Sequence, residues 1–244
     1  MSLSIDYSDN RFELGKNTLI LGPRHRGKTN LILTNIFLKF QSKINYLFVV
    51  SNDEKYLEIT SHLFTEEQMP KIFQEIQCLD RTEQKLLIVD EVMNHGNPIW
   101  ECLLINSHYF NVSIVLVSKM GNFNMMARDN LHTIAIGCEK CVTLARDFFE
   151  KYGTNYNDFS QFFTIISELG KDQFLWFPKG KMYASLIRVN DHWIKYLYSY
   201  KMFVRYDLLV KINAEKKSGN EDLVKKVEQM MEELVQIKKK LQCT

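Results

Sequence analysis

The stretch Gly22-Pro23-Arg24-His25-Arg26-Gly27-Lys28-Thr29 constrains this chain more than any other, because it fits G-x-x-x-x-G-K-[ST] at every fixed position. At average residue frequencies a chain of this length shows that pattern by accident about once in a hundred. The context agrees with the spacing. An apolar run, Thr18-Leu19-Ile20-Leu21, comes before it and Asn30 to Leu38 reads as a helix after it, which gives the strand, tight turn and helix that a phosphate-cradling loop needs.

The chemistry assigns each position a part. Gly22 and Gly27 admit backbone conformations closed to other residues, so that successive N–H groups turn inward onto phosphate oxygens, helped by the positive end of the following helix. Lys28 is placed to reach the terminal phosphates and the Thr29 hydroxyl to ligate Mg²⁺. The expected nucleotide contacts are therefore Gly22, Pro23, Arg24, His25, Arg26, Gly27, Lys28, Thr29 and Asn30. Since backbone builds the cradle, most of the Arg24, His25 and Arg26 side chains are expected to point to solvent.

A second anchor is the run Lys85-Leu86-Leu87-Ile88-Val89-Asp90-Glu91, a buried strand ending in adjacent acids. Asp90 suits the Mg²⁺ end of a triphosphate site and Glu91 the polarisation of an attacking water. A strand that merely ends in solvated charges is the alternative, and pairing with the loop at 22–29 weakens it.

Further apolar runs predict strands at 44–50, 112–118 and 131–137, with helical stretches through 84, at 98–109, 141–152 and 157–169. Alternating strands and helices predict an α/β fold with a mostly parallel sheet, whose active rim gathers residues 22–29, 90–91 and 118–128. Arg128 on that rim suits phosphate charge or nucleic acid, with a surface salt bridge as the equal alternative. The polar segment 119–130 reads as a loop. Gln173 to Phe177, Pro178 to Lys181 and Met182 to Arg188 predict an antiparallel hairpin at the edge of the sheet.

The 244 residues suit one sizeable core plus an appendage, so the chain divides into an ATPase-type domain at 1–190 and a helical extension at 191–244. That extension holds a Tyr-rich amphipathic stretch at 192–211. It ends in a helix with a heptad seam of Leu223, Val227, Met230, Leu234, Ile237 and Leu241, which packs on its own subunit or joins subunits. A net charge of +2 neither demands nor excludes nucleic acid. No apolar run approaches a membrane span, and the start lacks the basic and apolar regions of a signal peptide, so a protein of the cell interior without a membrane partner is expected. Of five cysteines, Cys138 and Cys141 have the spacing of half a zinc site, but no matching pair accompanies them, so core packing is the expectation.

With these motifs in view, residues 15–190 resemble the genome-packaging ATPases of poxviruses and other large double-stranded DNA viruses, a branch of the HerA/FtsK superfamily. The likeness rests on the loop at 22–29, on Leu86 to Val92, and on His108-Tyr109-Phe110-Asn111-Val112-Ser113-Ile114-Val115-Leu116-Val117, which looks like that family's histidine, asparagine, serine and apolar-strand signature. Arg128-Asp129-Asn130 looks like its Arg-x-Asn. The resemblance implies a P-loop ATPase using ATP and Mg²⁺, a homo-oligomeric ring, non-specific contacts with double-stranded DNA, capsid proteins as partners, and action in the host cytoplasm or virion. Ser118-Lys119 stands where the family often has a polar sensor, and Ser107 where it often has a basic residue. Arg128 then becomes the candidate arginine finger, acting on a neighbour, with Lys119 behind it. A helicase or remodelling ATPase, or a slow nucleotide-dependent scaffold, are the alternative readings.

Overall fold

The structure, a computed structural model, describes residues 12–90, 98–120, 123, 125–153, 158–178 and 185–188. Glu91, the hairpin turn and the whole 191–244 extension with its heptad seam lie outside the described residues.

Seven strands form one sheet: β1 (Thr18–Leu21), β2 (Tyr46–Ser51), β3 (Lys85–Asp90), β4 (Val112–Ser118), β5 (Thr133–Gly137), β6 (Gln173–Pro178) and β7 (Ser185–Arg188). Their order is β2-β3-β4-β1-β5-β6-β7. The first five run parallel and β6 and β7 are antiparallel, so the expected α/β fold and its edge hairpin are both present. Every residue of β1, β3 and β4 is buried, which is why these strands read as largely apolar runs without polar alternation: helices cover both faces.

Alternate side chains feed two cores. On one face Leu19, Leu21, Leu87, Val89, Ile114 and Leu116 pack against α3 (Met69–Cys78), α4 (Pro98–Asn106), α6 (Val142–Tyr152) and α7 (Phe159–Glu168) through residues such as Ile72, Leu103, Phe148 and Phe162. On the other, Ile20, Leu86, Ile88, Val115 and Val117 meet the helix that leaves the loop at 22–29. That helix starts as α1 (Lys28–Leu31), widens into a fully buried π-helical stretch at Ile32–Phe37, and ends as α2 (Leu38–Phe40). Trp176 of β6 and Phe12 close the same core edge to face, with ring centroids 4.4 Å apart.

The structure departs from the sequence expectation at several boundaries and in one element. β2 starts at Tyr46 rather than at residue 44, because the Ile44 N–H still serves the preceding helix by donating to the Phe40 carbonyl (3.1 Å). α4 stops at Asn106, where a turn through Asn111, at a φ of 51°, returns the chain to the sheet. β5 begins at Thr133, since the Leu131 N–H donates to the Arg128 carbonyl (3.1 Å). The segment read as a polar loop contains a helix, α5 (Met125–Asp129), with Ala127 buried in the core.

Candidate active site

The loop after β1 has the strained backbone that the glycine pattern calls for. Gly22 has a φ of 144° and Gly27 a φ of 85°, both costly for a side-chain-bearing residue, and His25 adopts a φ of 60° between them. Gly27 is constrained from outside as well: a Cβ there would collide with the Asp172 carboxylate of the α7–β6 loop. Lys28 is 5% exposed, and its ammonium donates to the loop's own carbonyls, Gly22 O at 3.0 Å and Pro23 O at 2.8 Å. The cation is therefore already inside the cradle.

Register brings the acid strand level with this loop. Leu21 pairs with Ser118 across β1–β4 and Asp90 with Val117 across β3–β4, so the three strands end together although β4 separates the other two. The Thr29 hydroxyl lies 3.2 Å from Asp90 Oδ2 and 3.3 Å from Asp53 Oδ2. Asp90 is itself buried and accepts from the Tyr56 hydroxyl at 2.7 Å. Burial first, and then the Asp90 carboxylate, push the Tyr56 hydroxyl's pKa far upward, so it stays a donor.

Lys28, Thr29, Asp53 and Asp90 line a cleft of about 450 Å³. Arg24, His25, Gly27, Lys28, Thr29 and Asn30 form one wall, Ser51 at the end of β2 with Asn52, Asp53 and Lys55 beyond it form another, and Asp90 and Lys171 complete it. The arrangement is polar by design: cations from Arg24, Lys28, Lys55 and Lys171 face the space, while two carboxylates and a hydroxyl meet at one end. That end offers only hard oxygen donors, which fits Mg²⁺. Arg24 and His25 are exposed yet border the cleft, whereas Arg26 does not line it.

Other expected residues fall elsewhere. Arg128, expected on the rim, does not line the cleft. Its helix leads back to the opposite edge of the sheet, where the Asn130 carbonyl accepts from the Asn17 side chain (3.0 Å) just before β1. Its charge acts on Tyr152, whose own pKa is raised chiefly by burial. The Ser118 hydroxyl is engaged with the Met120 backbone, accepting from its N–H at 3.1 Å and donating to its carbonyl at 2.8 Å, and Lys119 is exposed beside it. The His108–Ser113 signature also lies at the edge away from the cleft. The His108 ring lies tilted against that of Tyr109 there with centroids 3.9 Å apart, and Ser113 Oγ accepts from Gly15 N at 2.7 Å and from Gln84 Nε2 at 3.0 Å. Cys138 is buried, as core packing requires, and Cys141 is exposed. No cluster of three or more metal-binding His, Cys, Asp or Glu exists among the described residues, and no described helix is long and apolar enough to cross a membrane.

Sequence reasoning missed Asp53, Lys55 and Lys171 as cleft residues, and Tyr56 as the buried partner behind Asp90. The signal for Asp53, Lys55 and Tyr56 was available, because the carboxyl end of every parallel strand of an open α/β sheet meets the ligand crevice. Lys171 precedes β6, which, being antiparallel, starts at the edge where β5 ends.

No family model matches the sequence, and no curated protein matches it either. Solved structures do resemble the fold. The genome packaging NTPase B204 from Sulfolobus turreted icosahedral virus 2, in complex with sulfate, is 14% identical, covers 73% of this chain and 98% of its own, and superposes with a TM-score of 0.60. Its complex with ATP-gammaS gives 13% identity, 70% and 95% coverage and a TM-score of 0.55. The pCW3 conjugation coupling protein TcpA, with ATPgS, gives 10% identity, coverage of 79% and 65%, and a TM-score of 0.52. EssC (ATPases 2 and 3) from Geobacillus thermodenitrificans gives 12%, 81% and 44%, and 0.54. The fold of this chain is that of the P-loop NTPases.

Proposed function

We propose that this chain is an ATP-hydrolysing motor that moves double-stranded DNA and loads a viral genome into a capsid. The observation that carries the enzymatic part is the meeting of Lys28, Thr29 and Asp90 in one cleft at the ends of β1 and β3. A triphosphate entering that cleft exchanges the Gly22 and Pro23 carbonyls on the Lys28 ammonium for phosphate oxygens, while the backbone N–H groups of the loop hold the rest. When bound, Mg²⁺ supplies charge neutralisation between phosphate and acid, and Thr29 and Asp90 are the residues that hold it. Glu91, next in the chain, orients the water that attacks the terminal phosphate.

The choice of DNA and of packaging rests on the resemblance of the loop, acid strand and His108 segment to packaging ATPases. The fold shared with B204 at 14% identity also supports it. A homo-oligomeric ring around the duplex, capsid proteins as docking partners, and a site of action in the host cytoplasm or virion belong to the same reading. Turnover separates it from the alternatives: ATPase rate is measured with no DNA, with single strands, and with duplex. A motor of this kind is accelerated most by duplex. Preference for single strands indicates a helicase, and indifference to all DNA removes the motor reading.

A further inference from the structure

The turn that follows β2 brings two side chains to the acidic end of the cleft that none of the sequence motifs contains. Asp53 is held on both sides: its N–H donates to Ser51 Oγ at 2.9 Å, and its Oδ1 accepts from Lys55 N at 3.0 Å, capping the short 3₁₀ turn Glu54–Glu58. Oδ2 of the same carboxylate then faces the Thr29 hydroxyl at 3.3 Å. Tyr56, fully buried within that turn, donates to Asp90 Oδ2 at 2.7 Å, and this oxygen lies 3.2 Å from the same Thr29 hydroxyl. Thr29 has one proton to offer and stands between two carboxylates. Like charges brought this close repel, and a divalent cation set among them reverses the sign.

Building on the nucleotide-site reading, we propose that Asp53 and Tyr56 form a second arm of the cation site. Asp53 is the second carboxylate that holds the hydrated divalent cation accompanying the nucleotide, and Tyr56 is a positioning residue that fixes the Asp90 carboxylate. Mg²⁺ keeps several of its waters and is commonly bound through one or two carboxylates plus substrate phosphates, so two acids flanking one hydroxyl match its demands. The tyrosine acts as an outer partner that orients a ligating group, a role whose loss costs about 10–100-fold in metal affinity in other sites. Both residues belong to one short turn just after β2, Asp53 as its cap and Tyr56 within it.

The test uses the full chain and a fluorescent ATP analogue, titrated first in EDTA and then across a Mg²⁺ series, with Mn²⁺ binding followed by electron paramagnetic resonance. Asp53→Asn keeps a side chain that caps the turn and keeps its volume, and Asp53→Ser, also a good cap, is the second variant should the first fail to fold. Either variant is expected to retain its affinity in EDTA while needing about tenfold more Mg²⁺ for half-maximal effect. Tyr56→Phe, which fills the same buried space, shifts the Mg²⁺ midpoint in the same direction and weakens the Mn²⁺ signal. Unchanged Mg²⁺ midpoints overturn the proposal. So does an affinity loss in EDTA as large as that in Mg²⁺, because the arm would then hold the loop rather than the cation. If the wild type binds no analogue, or Lys28→Ala binds it as well as the wild type, the nucleotide reading itself fails and this inference falls with it.

Discussion

Lys28 shows how a single charged side chain is stored before use. Burying an ammonium costs several kcal/mol unless it is well bonded, and two carbonyls of its own loop, 2.8 and 3.0 Å away, meet that cost here. Because those carbonyls are neutral, a phosphate outcompetes them electrostatically. Replacing Lys28 with Ala is expected to remove about 2–5 kcal/mol of phosphate binding, roughly thirtyfold or more in Kd for an ATP analogue by calorimetry. Glu91→Gln, by contrast, is expected to keep the affinity and lose turnover. A Glu91→Gln protein that hydrolyses ATP at the wild-type rate shifts the role of water-positioning to another acid.

At the scale of elements, β4 is the strand on which the site depends without contributing a side chain to the cleft. It lies between the strand that feeds the phosphate loop and the strand that ends in Asp90, and its register sets their relative height. Leu116, with no exposed surface, pairs with Leu19 on one side and Val89 on the other. Leu116→Ala is expected to cost about 2–5 kcal/mol of stability, read from the urea midpoint. Nucleotide affinity should fall in the same variant, since the two halves of the site are spaced by this strand. A stability loss with wild-type affinity would mean that the loop and Asp90 are held in register by the Thr29 contacts alone. The β5–β6 pair plays a similar part behind the loop, where Gly137 lies against Gly22 and the Asp172 carboxylate against Gly27.

For the molecule as a whole, the position of Arg128 decides what can be asked of it. Its helix departs from the cleft toward the far edge of the sheet, so a role in hydrolysis requires the cleft of a neighbouring subunit. Head-to-tail contacts that close into a ring supply such a geometry. If Arg128 is the finger, Arg128→Ala leaves ATP affinity intact and lowers turnover by about 10³-fold or more. Mixing it with Lys28→Ala protein then restores activity at interfaces that pair an intact loop with an intact arginine. Mixed assemblies without rescue assign Arg128 to the fold of its own subunit, beside Tyr152.

The sequence by itself determined the phosphate loop, the acid strand, the α/β class and the antiparallel edge, because each is written locally. Gly22, Gly27, Lys28 and Thr29 occupy fixed spacings, and the strands of a doubly covered sheet are largely apolar runs that no solvent-facing element imitates. Tertiary structure alone decided which further residues share the cleft with the phosphate loop and Asp90. Asp53 and Asp90 are 37 positions apart and meet only because β2 and β3 are parallel neighbours whose ends are level, Ser51 opposite Asp90. Strand order is set by how two cores pack, not by any one segment. For the same reason Arg128 and the His108 segment, close in sequence to the ends of β4, could be assigned to the rim or to the opposite edge only once the direction of each connection was known.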